Sequence, residues 1–101
     1  MQLESAYNDG CLCIRYTGEL DHHAARAVFR ETEAFIDRFL PRRCFLDFSG
    51  VTFMDSSGIA LILRAQRRMQ TLGGSLLVCR VPQQARRVLD AAGIDRVVTI
   101  R

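Results

Sequence analysis

The residues best suited to chemistry in this sequence lie in one short stretch, Phe53–Ile59. Asp55 is followed there by two serine hydroxyls, those of Ser56 and Ser57, and then by Gly58. A strand-like apolar segment precedes the stretch and a helix-like apolar segment follows it, so the hydroxyls belong at a strand-to-helix junction. A helix N-terminus offers unpaired N–H groups and partial positive charge, which makes it a natural seat for a phosphate.

Three roles are open to this stretch. The first is purely structural, because Asp and Ser are the ordinary residues that cap a helix N-terminus. The second is a site of modification or ligand binding. The third is a nucleophile, for which Ser56 would need His22 or His23 as base and Asp21 to orient that base. Neighbours on one helical turn do not easily form that collinear chain, and no G-x-S-x-G motif surrounds Ser56.

Arginine is the only basic residue type apart from histidine. The 14 basic and 11 acidic residues give a formal net charge of +3, which is too weak to indicate nucleic acid binding. Arg64, Arg67 and Arg68 recur at helical spacing, and Arg86 and Arg87 form a second pair. We interpret both groups as solvated helix faces, with docking to an acidic partner as the alternative. The lack of lysine excludes a P-loop.

The four cysteines are expected to be free thiols that pack as small hydrophobes. The segment Met1–Tyr7 has no basic start followed by an apolar run, so we expect no secretory signal and a reducing, cytoplasmic location. Cys11 and Cys13 share one face of a strand, but no second pair completes a zinc site. We therefore expect no metal or other cofactor. No apolar run approaches the roughly 18 residues of a membrane span.

The elements that must position these residues follow the order β-β-α-β-α-β-α-β. Strands are predicted over Leu3–Tyr7, Cys11–Thr17, Cys44–Phe48, Leu76–Cys79 and Val97–Ile100, and helices over His22–Leu40, Ser57–Leu72 and from Pro82 to Gly93. Asp21 is the predicted N-cap of the first helix. Ser49-Gly50 is predicted to break the third strand, with Val51–Met54 extended or in a tight turn.

This order predicts one α/β domain over residues 1–101. The Asp9-Gly10 turn makes the first two strands an antiparallel hairpin. The later strands alternate with helices, which requires right-handed crossovers and parallel neighbours. The expected architecture is a mixed sheet of four or five strands, with an antiparallel edge and helices packed on it.

Several motifs together resemble the STAS domain, and more closely the anti-sigma factor antagonists of bacterial sporulation. The first is the G-E-L-D-H-H run over 18–23, and the second is the F-M-D-S-S-G run over 53–58. The weaker matches are Cys13-Ile14-Arg15, Gly73-Gly74 before Leu77-Val78-Cys79, and Val88-Leu89-Asp90 followed by Gly93. The resemblance covers nearly the whole chain, and the two longer runs together make it specific.

This resemblance implies a binding module with a STAS fold, not an enzyme. Members bind an anti-sigma factor that is also a serine kinase carrying a nucleotide, which frees the sigma factor and promotes sporulation transcription. The kinase phosphorylates the first serine of D-S-S-G, here Ser56, and a PP2C-type phosphatase reverses this. The implied partner-binding residues are Asp21, Asp55, Ser56, Ser57, Gly58 and Ile59. The alternative is a STAS module of another partner-switching pathway, such as general stress response or a stressosome.

Overall fold

Strands and helices alternate along the computed structural model, which describes residues 1–101. The elements are β1 (Gln2–Asn8), β2 (Cys11–Leu20), α1 (Ala25–Phe39), β3 (Arg43–Met54), α2 (Ser56–Thr71), β4 (Ser75–Cys79), α3 (Gln83–Ala91) and β5 (Thr99–Ile100). They form one sheet in the order β1-β2-β3-β4-β5, with β1 and β2 antiparallel and the other neighbours parallel. The predicted α/β class, mixed sheet and N-terminal hairpin are confirmed.

All three helices belong on one face of the sheet. Each parallel connection moves the chain one strand further in the same direction, so right-handed crossovers stack the helices on the same side. The strands alternate accordingly: Leu12, Ile14 and Tyr16 of β2 are fully buried beneath the helices. The buried Tyr16 hydroxyl lies 2.8 Å from the Thr32 hydroxyl of α1 and gives it a hydrogen-bond partner. None of the helices is long and apolar enough to cross a bilayer.

The prediction that Asp21 caps the first helix is wrong. Strand β2 continues beyond Thr17 to Leu20, and α1 begins only at Ala25, with no side-chain hydrogen bond at its N-cap. The carboxylate of Asp21 instead accepts the backbone N–H groups of His23 and Ala24, both at 3.1 Å. Its preference for capping is therefore satisfied in a turn that precedes the helix.

The predicted break in β3 is also wrong, because the strand continues through Ser49 and Gly50 to Met54. A Cβ atom at position 50 would lie only 2.7 Å from the carbonyl oxygen of Tyr16. Glycine thus permits close approach to β2 where the register between the strands shifts, after Arg15. The uninterrupted strand carries the chain directly to the start of α2.

The remaining boundary differences are small. Helix α2 begins at Ser56, one residue earlier than predicted, and Pro82 lies just before α3. The last strand is confined to Thr99–Ile100 because a 3₁₀ turn occupies Ile94–Arg96.

The sheet face away from the helices holds a buried carboxylate. Asp47 is only 2% exposed and forms an ion pair with Arg80, while the backbone N–H of Ser49 donates to it at 2.9 Å. Desolvation raises the pKa of Asp47, but these hydrogen bonds outweigh it and hold the pKa below its ordinary value. The pair links the middle of β3 to the residue that directly follows β4.

The four cysteines are free thiols, as expected. Cys44 lies in the core, where burial raises the pKa of its thiol to about 12. Cys13 and Cys79 are partly exposed, and burial followed by the charge of Asp47 raises the pKa of each thiol. Because thiolate is the reactive form of cysteine, this arrangement favours packing over chemistry.

Candidate functional site

The site is built on the tight junction between β3 and α2. Asp55 is the N-cap of α2, and its Oδ1 accepts the backbone N–H of Ser57 at 2.8 Å. Its carbonyl oxygen accepts the N–H of Gly58 at 3.1 Å. The predicted strand-to-helix junction is confirmed, and the capping role belongs to Asp55.

Asp55 also ties the junction to the segment between β2 and α1. Its Oδ2 accepts the backbone N–H of His22 at 3.1 Å, and its own N–H donates to the carbonyl of Leu20 at 3.2 Å. The Nδ1 atom of His22 lies 3.7 Å from the same Oδ2. The turn that contains Asp21 therefore adjoins the start of α2, so the structure brings the two predicted sequence runs together.

The Asp55 carboxylate is held in its ionised form. Desolvation raises the pKa of Asp55, but the hydrogen bonds donated by Ser57 and His22 outweigh it and keep the pKa below its ordinary value. The side chain is 30% exposed, so the negative charge is accessible at the surface. Any group added to the neighbouring serine therefore meets a fixed anionic neighbour.

Met54, the last residue of β3, is buried directly before the junction, and two contacts hold it in place. The side-chain amide of Gln84 in α3 donates to the Met54 carbonyl and accepts its N–H, both at 2.9 Å. Gly58 packs so closely on Met54 that a Cβ atom would overlap the thioether. Sequence analysis missed Gln84, because no local pattern marks a contact between residues 30 positions apart.

The two hydroxyls differ in accessibility. Ser56, the first residue of α2, is exposed, whereas Ser57 is half-buried. Ile59 packs partly against the core, and Phe53 before the junction is 43% exposed. Ser56 thus presents an exposed hydroxyl at a helix N-terminus.

The side chains do not form the arrangement that a serine nucleophile needs. Asp21 accepts backbone N–H groups rather than orienting a histidine ring. The ring of His22 faces Asp55 and is 75% exposed, and it lies against the His23 ring with centroids 4.0 Å apart and ring planes tilted by 37°. This geometry favours the binding or modification role for Ser56 over the nucleophile role.

The basic stripe of α2 is largely solvent-exposed, as predicted, but two of its members also form ion pairs with α1. The Glu33 carboxylate of α1 forms ion pairs with the guanidinium groups of Arg64, at 2.6 Å, and Arg68, at 2.8 Å. Arg68 also forms an ion pair with Asp37 at 3.4 Å. Arg67 remains exposed. The paired arginines join α2 to α1 beside the site.

Comparison with known proteins identifies the family. The STAS domain profile matches residues 2–101. An anti-sigma F factor antagonist from Paenibacillus polymyxa is 33% identical over 100 residues, which cover 99% of this chain and 86% of that protein. This chain belongs to the STAS domain family, among its anti-sigma factor antagonists. The sequence-based family assignment is thereby confirmed.

Solved STAS structures share the fold. The anti-sigma factor antagonist SpoIIAA in its unphosphorylated form superposes with a TM-score of 0.82 at 24% identity, covering 99% of this chain and 88% of that one. The Bacillus cell fate determinant SpoIIAA in its phosphorylated form gives a TM-score of 0.74 at 24% identity, with coverages of 99% and 91%. The architecture described above is therefore the STAS fold.

Proposed function

We propose that this STAS protein acts as an anti-sigma factor antagonist whose binding is switched off by phosphorylation of Ser56. The observation that carries the proposal is the exposed hydroxyl of Ser56 at the N-terminus of α2, beside a carboxylate that ties this helix to the Asp21 turn. A kinase can reach this hydroxyl without unfolding the protein. Its modification changes the charge of the surface on which Asp21 and Asp55 lie.

The proposed partner is an anti-sigma factor that is also a serine kinase with bound nucleotide. The unphosphorylated protein binds this kinase through Asp21 and the stretch from Asp55 to Ile59, and the sigma factor is released for sporulation transcription. A PP2C-type phosphatase restores the unphosphorylated form. We place the protein in the cytoplasm, where such a kinase and its sigma factor act. Relatives named as anti-sigma F factor antagonists support this assignment.

The physical basis of the switch is local. A phosphate on Ser56 adds a charge of roughly −1.5 to −2, which lowers the net charge from +3 to about +1. The N-terminus of α2 tolerates this anion, so the fold is retained. The partner instead meets added bulk and a dianion next to Asp55. A coupling of about 1–3 kcal/mol, typical of such switches, corresponds to roughly 5–150-fold in affinity.

The test uses the anti-sigma kinase from the organism that encodes this chain. The purified chain is mixed with the kinase and ADP, then with ATP, and phosphate is mapped by mass spectrometry. We expect a complex with ADP, and release with one phosphate on Ser56 after ATP is added. Phosphate on Ser57, or none, would overturn the assignment of the site.

Three variants sharpen this test. Ser56→Ala should bind the kinase and remain unmodified, whereas Ser56→Asp should bind more weakly. Ser75→Ala is the matched control, because it removes an exposed hydroxyl at the start of β4, outside the proposed binding residues, and should still bind the kinase and be phosphorylated. A complex with the kinase of a stress-response pathway, and none with the sporulation kinase, would move the protein to that pathway.

A further inference from the structure

A basic groove runs between α1 and α2 beside the proposed phosphorylation site. It consists of two adjoining depressions that share Glu33, Arg64 and Arg68. The arginines that line it are Arg26, Arg30, Arg64, Arg67 and Arg68. None of the motifs assigned to phosphorylation of Ser56 accounts for this surface.

The groove concentrates the positive charge of the molecule. Its five arginines face two carboxylates, those of Glu33 and Asp37, which leaves a balance of +3. The whole chain has a formal net charge of +3, so the rest of the surface is neutral on balance. An approaching anionic segment is therefore drawn toward this groove rather than to the protein at large.

The carboxylates of the groove are already satisfied by two of the arginines. Glu33 is 18% exposed and is held by Arg64 and Arg68, at 2.6 and 2.8 Å. The guanidinium carbon of Arg64 also lies 4.7 Å from the centroid of the Phe29 ring. Arg64 is thus fixed between a carboxylate and an aromatic face, with half of its side chain exposed. A fixed planar guanidinium loses little conformational freedom when it binds a further carboxylate.

The other three arginines remain available for a partner. Arg26 and Arg30 on α1 and Arg67 on α2 are exposed. Leu63 at the edge of the second depression is 40% exposed and offers an apolar contact next to the charges. The groove therefore matches a segment rich in carboxylates with an interspersed apolar side chain.

The groove is continuous with the candidate site. His22 lines its first depression, and the backbone N–H of the same residue donates to Asp55. We propose that the groove docks an acidic segment of the protein that engages Ser56, which supplies a second contact outside the phosphorylated loop. This proposal rests on the proposed function, because it assigns the segment to the same partner.

The experiment compares two triple variants of equal charge. The groove variant is Arg26→Gln/Arg30→Gln/Arg67→Gln, and the control is Arg43→Gln/Arg87→Gln/Arg96→Gln, whose arginines are also exposed but lie outside the groove. The probe is a fluorescein-labelled synthetic peptide of glutamates and leucines, titrated at low salt by fluorescence anisotropy. A DNA duplex of the same formal charge is titrated in parallel.

We expect the wild type and the control variant to bind the peptide alike, and the groove variant about tenfold more weakly. Amide shifts in ¹⁵N spectra of the wild type should concentrate on α1 and α2. Equal binding by both variants, no binding by the wild type, or tighter binding of DNA would each overturn the proposal. Phosphorylation of Ser56 is measured separately, so failure of the proposed function appears as missing phosphate while peptide binding persists.

Discussion

Asp55→Ala should loosen the candidate site and destabilise the fold by about 2 kcal/mol. Replacing an N-cap aspartate by alanine costs about 0.5–2 kcal/mol, and here it removes the 2.8 Å acceptor of the Ser57 N–H. The same change removes the 3.1 Å acceptor of the His22 N–H, a net contribution of about 0.5–1.5 kcal/mol. Because the Asp55 side chain is 30% exposed, water replaces part of this loss, and the expected total lies between about 1 and 3 kcal/mol.

Urea and thermal unfolding measure this loss. In a domain of this size each kcal/mol lowers Tm by roughly 4–8 °C, so a decrease of about 10 °C is expected. Ser56→Ala is the matched control, because it changes an exposed neighbour and should stay within about 0.5 kcal/mol of the wild type. If Asp55→Ala is no less stable than Ser56→Ala, then Asp55 does not join the two segments as described.

Three further changes test the geometry in urea unfolding. The folded-state pKa of Asp55 lies below the ordinary value of about 4. The ionised carboxylate therefore makes its full contribution to the free energy of unfolding above about pH 4, and this contribution is lost as pH falls through the folded-state pKa. The stability advantage of the wild type over Asp55→Asn should therefore shrink below about pH 4; an advantage independent of pH contradicts the assignment. Gly58→Ala should lower the free energy of unfolding by about 1–2 kcal/mol, because the added methyl group crowds the buried Met54 by more than the gain in helix propensity offsets. An unchanged urea midpoint would contradict this packing. Tyr16→Phe should lower the free energy of unfolding by about 1–2 kcal/mol, because it leaves the buried Thr32 hydroxyl without a hydrogen-bond partner. The double variant Tyr16→Phe/Thr32→Val should recover much of the lost stability, and a double variant no more stable than Tyr16→Phe would refute this explanation.

The order of the elements and the position of the candidate site were predictable from sequence because both depend on local patterns. Asp55 and Ser56 lie between an apolar strand and an amphipathic helix, and this pattern alone predicts the junction. The Asp9-Gly10 turn likewise indicates the hairpin without any knowledge of the core.

The errors arose where a contact distant in sequence overrides a local preference. Asp21 is a good N-cap residue, yet its carboxylate closes a turn ahead of α1. Gly50 resembles a strand breaker, but the close approach of β2 requires a glycine within the strand. Gln84 and Arg64 find their partners on other elements, at separations of 30 and 31 residues, so their roles depend on how those elements pack.

The most direct test of the central claim compares the protein phosphorylated on Ser56 with the unmodified protein. Affinity for the anti-sigma kinase with bound ADP is measured by calorimetry, and ¹⁵N spectra of both forms report the fold. We predict a loss of affinity of roughly 5–150-fold, with shift changes confined to the start of α2 and the Asp21 turn. Equal affinity would contradict the switch, and shift changes spread over the whole sheet would contradict its local mechanism.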